Sequence, residues 1–140
     1  MKAQTIIEVY DEDLVELFAS RRPELEVGTL PFEVRKYLGC SRDTIFLSDQ
    51  SARHIIQAHG DHITNTQLKL LPKILCEGLW LSDNRATHAV VSCNVYEVDY
   101  KTVIKVTEDR TRTYVKTLHR TSDRQKRALL RKTNVLRNRW

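Results

Sequence analysis

The hydrophobic pattern of this chain changes period once, at Gly78, and that change constrains the fold more than any other feature. Before it, apolar residues recur at helical spacing: Leu14, Leu17 and Phe18, then Leu68, Leu71, Ile74 and Leu75. Side chains three and four residues apart line one side of a helix. After it come short β-branched or aromatic runs: Leu79-Trp80-Leu81, Thr87–Cys93, Asn94–Tyr100, Thr102–Thr107 and Arg112–His119. Turn-prone groups such as Ser82-Asp83-Asn84 and Glu108-Asp109-Arg110 separate them. Connections this short join antiparallel neighbours, which predicts a meander of about four strands. The fold class expected is therefore α+β: N-terminal helices, an antiparallel meander, then a basic C-terminal helix.

Local punctuation sets the element limits. Asp11, Glu12 and Asp13 favour a helix start, and Pro23 stops that helix. Pro31 at a first turn and Gly39 just past the end bracket a second helix. Thr44–Leu47 reads as a strand, after which Ser48 or Asp49 caps a helix that runs to His59 and ends at Gly60. Thr64 or Asn65 caps the next helical stretch, and Pro72, which has no N–H to give, kinks or restarts it. Ser122-Asp123-Arg124-Gln125 is a capping-box pattern that opens the last helix, to about Lys132.

Composition narrows the functional classes. The 140 residues carry a net charge of +5, unevenly placed. Residues 110–140 hold eleven Lys/Arg against one acid, Asp123, whereas residues 1–33 hold eight acids against three bases. A basic end of this strength suits a polyanionic partner. No apolar run is long enough for a membrane span or a signal segment, so no membrane partner is expected and a cytoplasmic location is the default. Cys40, Cys76 and Cys93 are scattered and odd in number, which reads as reduced thiols. The division expected is an acidic helical extension over 1–43, packed on a core domain over 44–140.

Three groups of residues are candidates for chemistry. His54, His59 and His62 fall within nine positions. On a helix His54 and His59 lie roughly 140° apart, so only one of them faces any given cleft. His59, at the helix end beside Gly60, is placed to reach into one. The spacing matches no common zinc pattern, and no metal or cofactor is expected. The second group is the last strand, where strict alternation puts Thr113, Val115, Thr117 and His119 on one face and Tyr114, Lys116, Leu118 and Arg120 on the other. A sheet covered by helices on one side would bury Ile104, Val106, Tyr114 and Leu118 and present Lys105, Thr117 and His119 together. His88 and Ser92 join them if the register allows. The third group is the basic C-terminus: Arg124, Lys126, Arg127 and Arg131 are expected to contact phosphates, with Trp140 as a stacking group.

Histidines, a lysine and hydroxyls on one face suit RNA phosphodiester cleavage. One imidazole takes the 2′-OH proton, another group protonates the leaving 5′ oxygen, and cations stabilise the charge that gathers on phosphorus. The order Ser48…His54-Ile-Ile-Gln-Ala-His59, Leu71-Pro72-Lys73-Ile74-Leu75-Cys76-Glu77-Gly78, Tyr100–Val106 and Tyr114-Val115-Lys116-Thr117-Leu118-His119-Arg120 resembles the phage branch of the barnase–EndoU–colicin–RelE superfamily. These are small metal-independent ribonucleases found in prophages and as toxin domains. The resemblance covers about residues 44–130. It implies helices followed by a four-stranded meander, with His59, Lys105, Thr117 and His119 on a catalytic face, Arg120 near the phosphate, and His54 as the alternative to His59. It further implies RNA as substrate, with tRNA one candidate, and an antitoxin or immunity protein as a candidate partner. Two other readings stay open: a nucleic-acid-binding module of the same fold without turnover, and a protein-interaction domain that uses the acidic N-terminal region.

Overall fold

In a computed structural model that describes residues 7–139, the elements are α1 (Asp11–Phe18), β1 (Glu24–Thr29), α2 (Phe32–Leu38), β2 (Thr44–Ser48), α3 (Asp49–His59), α4 (Asn65–Leu68), α5 (Leu71–Glu77), β3 (Leu79–Ser82), β4 (His88–Val95), β5 (Val98–Val106), β6 (Thr113–Arg120), α6 (Asp123–Lys132) and β7 (Val135–Asn138). Trp140 lies outside the described residues. The punctuation works as its chemistry dictates. The Ser48 hydroxyl accepts from the Ser51 amide at 3.1 Å, so β2 passes straight into α3. Ser122 accepts from the Gln125 amide at 3.1 Å, and the Gln125 side chain accepts from the Ser122 amide at 2.9 Å. Gly39 closes α2 in the left-handed conformation, φ 66°, which a residue without Cβ adopts freely.

The α+β class holds, but the sheet is wider than a four-stranded meander. The strand order is β1-β2-β6-β5-β4-β3-β7. β3, β4, β5 and β6 lie side by side in chain order, and all neighbouring pairs are antiparallel except β2 with β6. Three strands are added at the edges. β1 lies inside the segment read as a helical extension, where Leu25 and Val27 alternate with Glu24 and Glu26 and turn their side chains into the core. Gly28 of β1 lets α5 approach, since a Cβ there would sit 2.7 Å from Leu75 Cδ1. The segment before Thr44 thus shares one sheet and one core with the rest of the chain. β7 lies in what reads as a polar tail and pairs with β3. The run Asn94–Tyr100 is not a strand of its own. Tyr96 and Glu97 both take positive φ, 49° and 65°, and make the tight turn between β4 and β5.

Two apolar layers flank the sheet. The larger gathers Leu14, Leu17, Val34, Leu38, Ile55, Leu68, Ile74 and Leu75 from α1–α5 against Ile45, Trp80, Val91, Ile104, Val115 and Leu118 of the sheet. The smaller, on the other face, holds Leu81, Val90 and Val103 with Leu129 of α6 packed on them. One inserted residue decides which side chains of β6 belong to which face. Val103 pairs with Thr117 but Ile104 pairs with Val115, which leaves Lys116 as a bulge. Thr113 and Val115 before the bulge are therefore buried, and after it Leu118 takes the core side while Thr117 and His119 take the other. Tyr114, read as a core residue, turns away from the core and packs its ring on Phe46. Among the described residues no helix is long and apolar enough to cross a membrane.

Candidate functional site

α3 leaves β2 in the direction of β6 and packs along it, because the parallel β2–β6 pairing ends at Phe46 opposite Tyr114. Ala52 and Ile55 anchor the helix in the core, and its far end arrives beside the far end of β6. There the His59 and His119 rings stack, with centroids 5.0 Å apart and planes inclined by 29°. Sixty positions of sequence separate them, and the resemblance places both on one face, with His54 as the alternative to His59. His54, five residues earlier and exposed, lines a different stretch of α3 with Ser51, Gln57 and Lys116. Of the two histidines, His59 is the one that lies beside His119.

The ring of His119 is held neutral. Burial, then the like charges of His59 and Lys101, push it down from an ordinary 6.5 to about 4. Its Nδ1 is buried without a hydrogen-bond partner, so the imidazolium, with a proton on each nitrogen, would leave one N–H unsatisfied. Lys101 sits directly across β5 from His119. Thr117 shares this face, two residues back, and its carbonyl accepts from the Thr102 hydroxyl at 2.6 Å. Ser92 lies across β4 from Lys101 and is buried.

Lys105 is not beside the rings. Its strand neighbours are His88 and Tyr114, four residues along β5 from Lys101, which places it about 13 Å from that end of the sheet. The single face expected from the sequence is therefore two clusters, and the lysine next to His119 is Lys101, which sequence reasoning missed because register decides it. Arg120 takes the side opposite His119, as strand alternation predicts. Adjacent residues of a strand point to opposite sides, and Arg120 lies across from Tyr100, a core residue, rather than with His119.

The second cluster joins β4, β5 and β6. Lys116, displaced by the bulge, places Nζ 3.2 Å from His88 Nε2, and the Thr87 hydroxyl lies 2.8 Å from His88 Nδ1. An ammonium can only donate, so Nε2 accepts from Lys116 and Nδ1 carries the ring proton toward Thr87. Burial, followed by the charges of Arg85 and Lys116, keeps this imidazole below its ordinary range.

On α6 the expected phosphate contacts divide. Arg124, Arg127 and Arg131 are exposed, with Arg127 paired to Asp123 at 3.1 Å. Lys126 is turned inward onto Asp99 at 3.0 Å, where it pins the helix to the start of β5. Asn94 and then Lys126 hold the Asp99 carboxyl below its usual value. Among the described residues no three His, Cys, Asp or Glu side chains converge as a ligand set for a metal ion. Compared with protein-family models, curated proteins and solved structures, the chain matches none.

Proposed function

We propose that this protein is a metal-independent endoribonuclease that cleaves RNA by attack of the substrate's own 2′-OH on the adjoining phosphorus. The observation that carries the reading is the stacked pair His59–His119, two imidazoles brought from separate elements to one end of a cationic sheet face. His119, held neutral, accepts the 2′-OH proton. His59 protonates the leaving 5′ oxygen. The step balances, since His119 gains one proton as His59 gives one up. A bound phosphodiester offsets the charges of His59 and Lys101 and so relieves the part of the depression of His119 that burial does not cause. Lys101, across from His119, faces the charge that develops on the phosphoryl oxygens, and Thr117 positions the substrate beside it. The resemblance of the segments quoted over about residues 44–130 to the barnase–EndoU–colicin–RelE superfamily points the same way.

The decisive measurement is cleavage of a labelled RNA in EDTA, with end-group analysis. Products ending in 2′,3′-cyclic phosphate, and resistance of the same oligomer with a single 2′-deoxy substitution at the cut site, are expected. Intact RNA under conditions where the protein binds it would reject turnover and leave a binding module.

A further inference from the structure

The mechanism above leaves the cluster of Lys105, Lys116 and His88 unused. His88 is 4% exposed, yet both its ring nitrogens are engaged, by Thr87 at 2.8 Å and Lys116 at 3.2 Å. A solvent-exposed lysine normally samples many rotamers and is a poor fixed charge. Here one of its three donors is tied to a ring that is itself locked in the sheet, so the other two are left for a ligand. Lys105 stands across β5 from His88 and beside Tyr114 of β6, adding a second ammonium. Among the described residues neither lysine has a carboxylate partner, unlike Lys69, Lys73 and Lys126. Both line a groove of about 340 Å³ whose wall across from the sheet carries Ser51, in the first turn of α3. Lys116 also lines the continuation of that groove along α3, past Ser51 to His54 and Gln57. Glu108, exposed, is the acid on its rim.

We propose that Lys105 and Lys116, with Lys116 held in place by His88, form a phosphate-binding subsite for a single-stranded polynucleotide, separate from the His59–His119 pair and a few nucleotides along the same strand. The inference rests on the nucleic-acid reading above but not on turnover. His88 is a positioning residue: it touches Lys116 and not the phosphate. A site built from two ammonium groups reads charge and not sugar, so RNA and single-stranded DNA should occupy it alike.

The test is fluorescence anisotropy with a labelled single-stranded RNA 12-mer and the DNA of the same sequence, across a salt series. Lys116→Gln should weaken both by about tenfold at low salt and reduce the log–log salt slope by about 0.7, the value for one lost contact to a single strand. His88→Phe, which keeps both lysines, should lose part of that slope, and His88→Gln, whose amide oxygen can still accept from Lys116, should restore it. Lys116 is exposed, so its variant tests the site without threatening the fold. If Lys116→Gln binds RNA with unaltered affinity and slope, the subsite is wrong even where RNA is cut. If the slope falls but RNA is never cut, the subsite stands and the nuclease reading fails. Absence of any salt-sensitive RNA or DNA binding would overturn both.

Discussion

The two ends of one sheet face handle positive charge in opposite ways. At the His59–His119 end, charge is suppressed: the ring is half-buried, a lysine lies opposite it, and its inner nitrogen has no acceptor. At the Lys105–Lys116 end, charge is kept and fixed, because a neutral imidazole accepts from the ammonium and holds its direction. Suppression prepares a group to change protonation state, and fixation prepares one to stay charged. On the functions proposed above, the difference separates a place for proton transfer from a place for anion binding, although both are made of histidine and lysine.

That contrast can be broken experimentally. The largest expected effect is on turnover: His119→Ala should reduce RNA cleavage by about 10²–10⁴-fold with RNA affinity nearly unchanged. Cleavage at the wild-type rate would remove the ring pair from the mechanism. Lys101→Gln comes next, with about a tenfold fall in kcat/KM and, in an NMR titration, a rise in the pKa of His119 as a like charge disappears. An unmoved resonance would show that Lys101 does not act on that ring. The third is on stability. His119 binds its proton more weakly folded than unfolded, so the unfolded state takes up more protons between about pH 6.5 and pH 4. Thermal unfolding midpoints should therefore fall as pH drops through that window, and His119→Phe should flatten the fall. The smallest is structural: Asp99→Ala, which frees Lys126, should cost about 0.5 kcal/mol in denaturant unfolding, as a partly exposed ion pair does. A loss several times larger would mean that α6 depends on this contact for docking, and the cover over Val103 and Val90 with it.

Legibility in the sequence followed the range of the interaction. Features settled within a turn or two were readable: the Ser48 and Ser122 caps, the restart at Pro72, Gly39, and the change of period at Gly78. β1 was readable in principle, since Glu24-Leu25-Glu26-Val27 alternates cleanly after Pro23, but its setting between two helices hid it. Tyr96 and Glu97 carry no turn signature, and tertiary pairing of β4 with β5 overrides the strand propensity of Tyr96. The bulge at Lys116 has no local signal at all, yet it moves Tyr114 off the core and sends Lys116 to His88, 28 positions away. The His59–His119 meeting was anticipated through the resemblance, with His54 left open. Its lysine was not, because four residues of register separate Lys101 from Lys105.

The parallel pairing of β2 with β6 has a consequence in time as well as space. Ile45 can pair with Thr113 only once the chain has been made through β3, β4 and β5 to β6. Until then β2 lacks its inner neighbour, and α3 lacks the strand it packs along. Contacts this distant in sequence form late, since a long loop must close before they are gained. During synthesis the two rings are therefore among the last groups to meet, and a chain stopped short of β6 carries the acidic N-terminal segment without His119 and without most of the basic C-terminal residues.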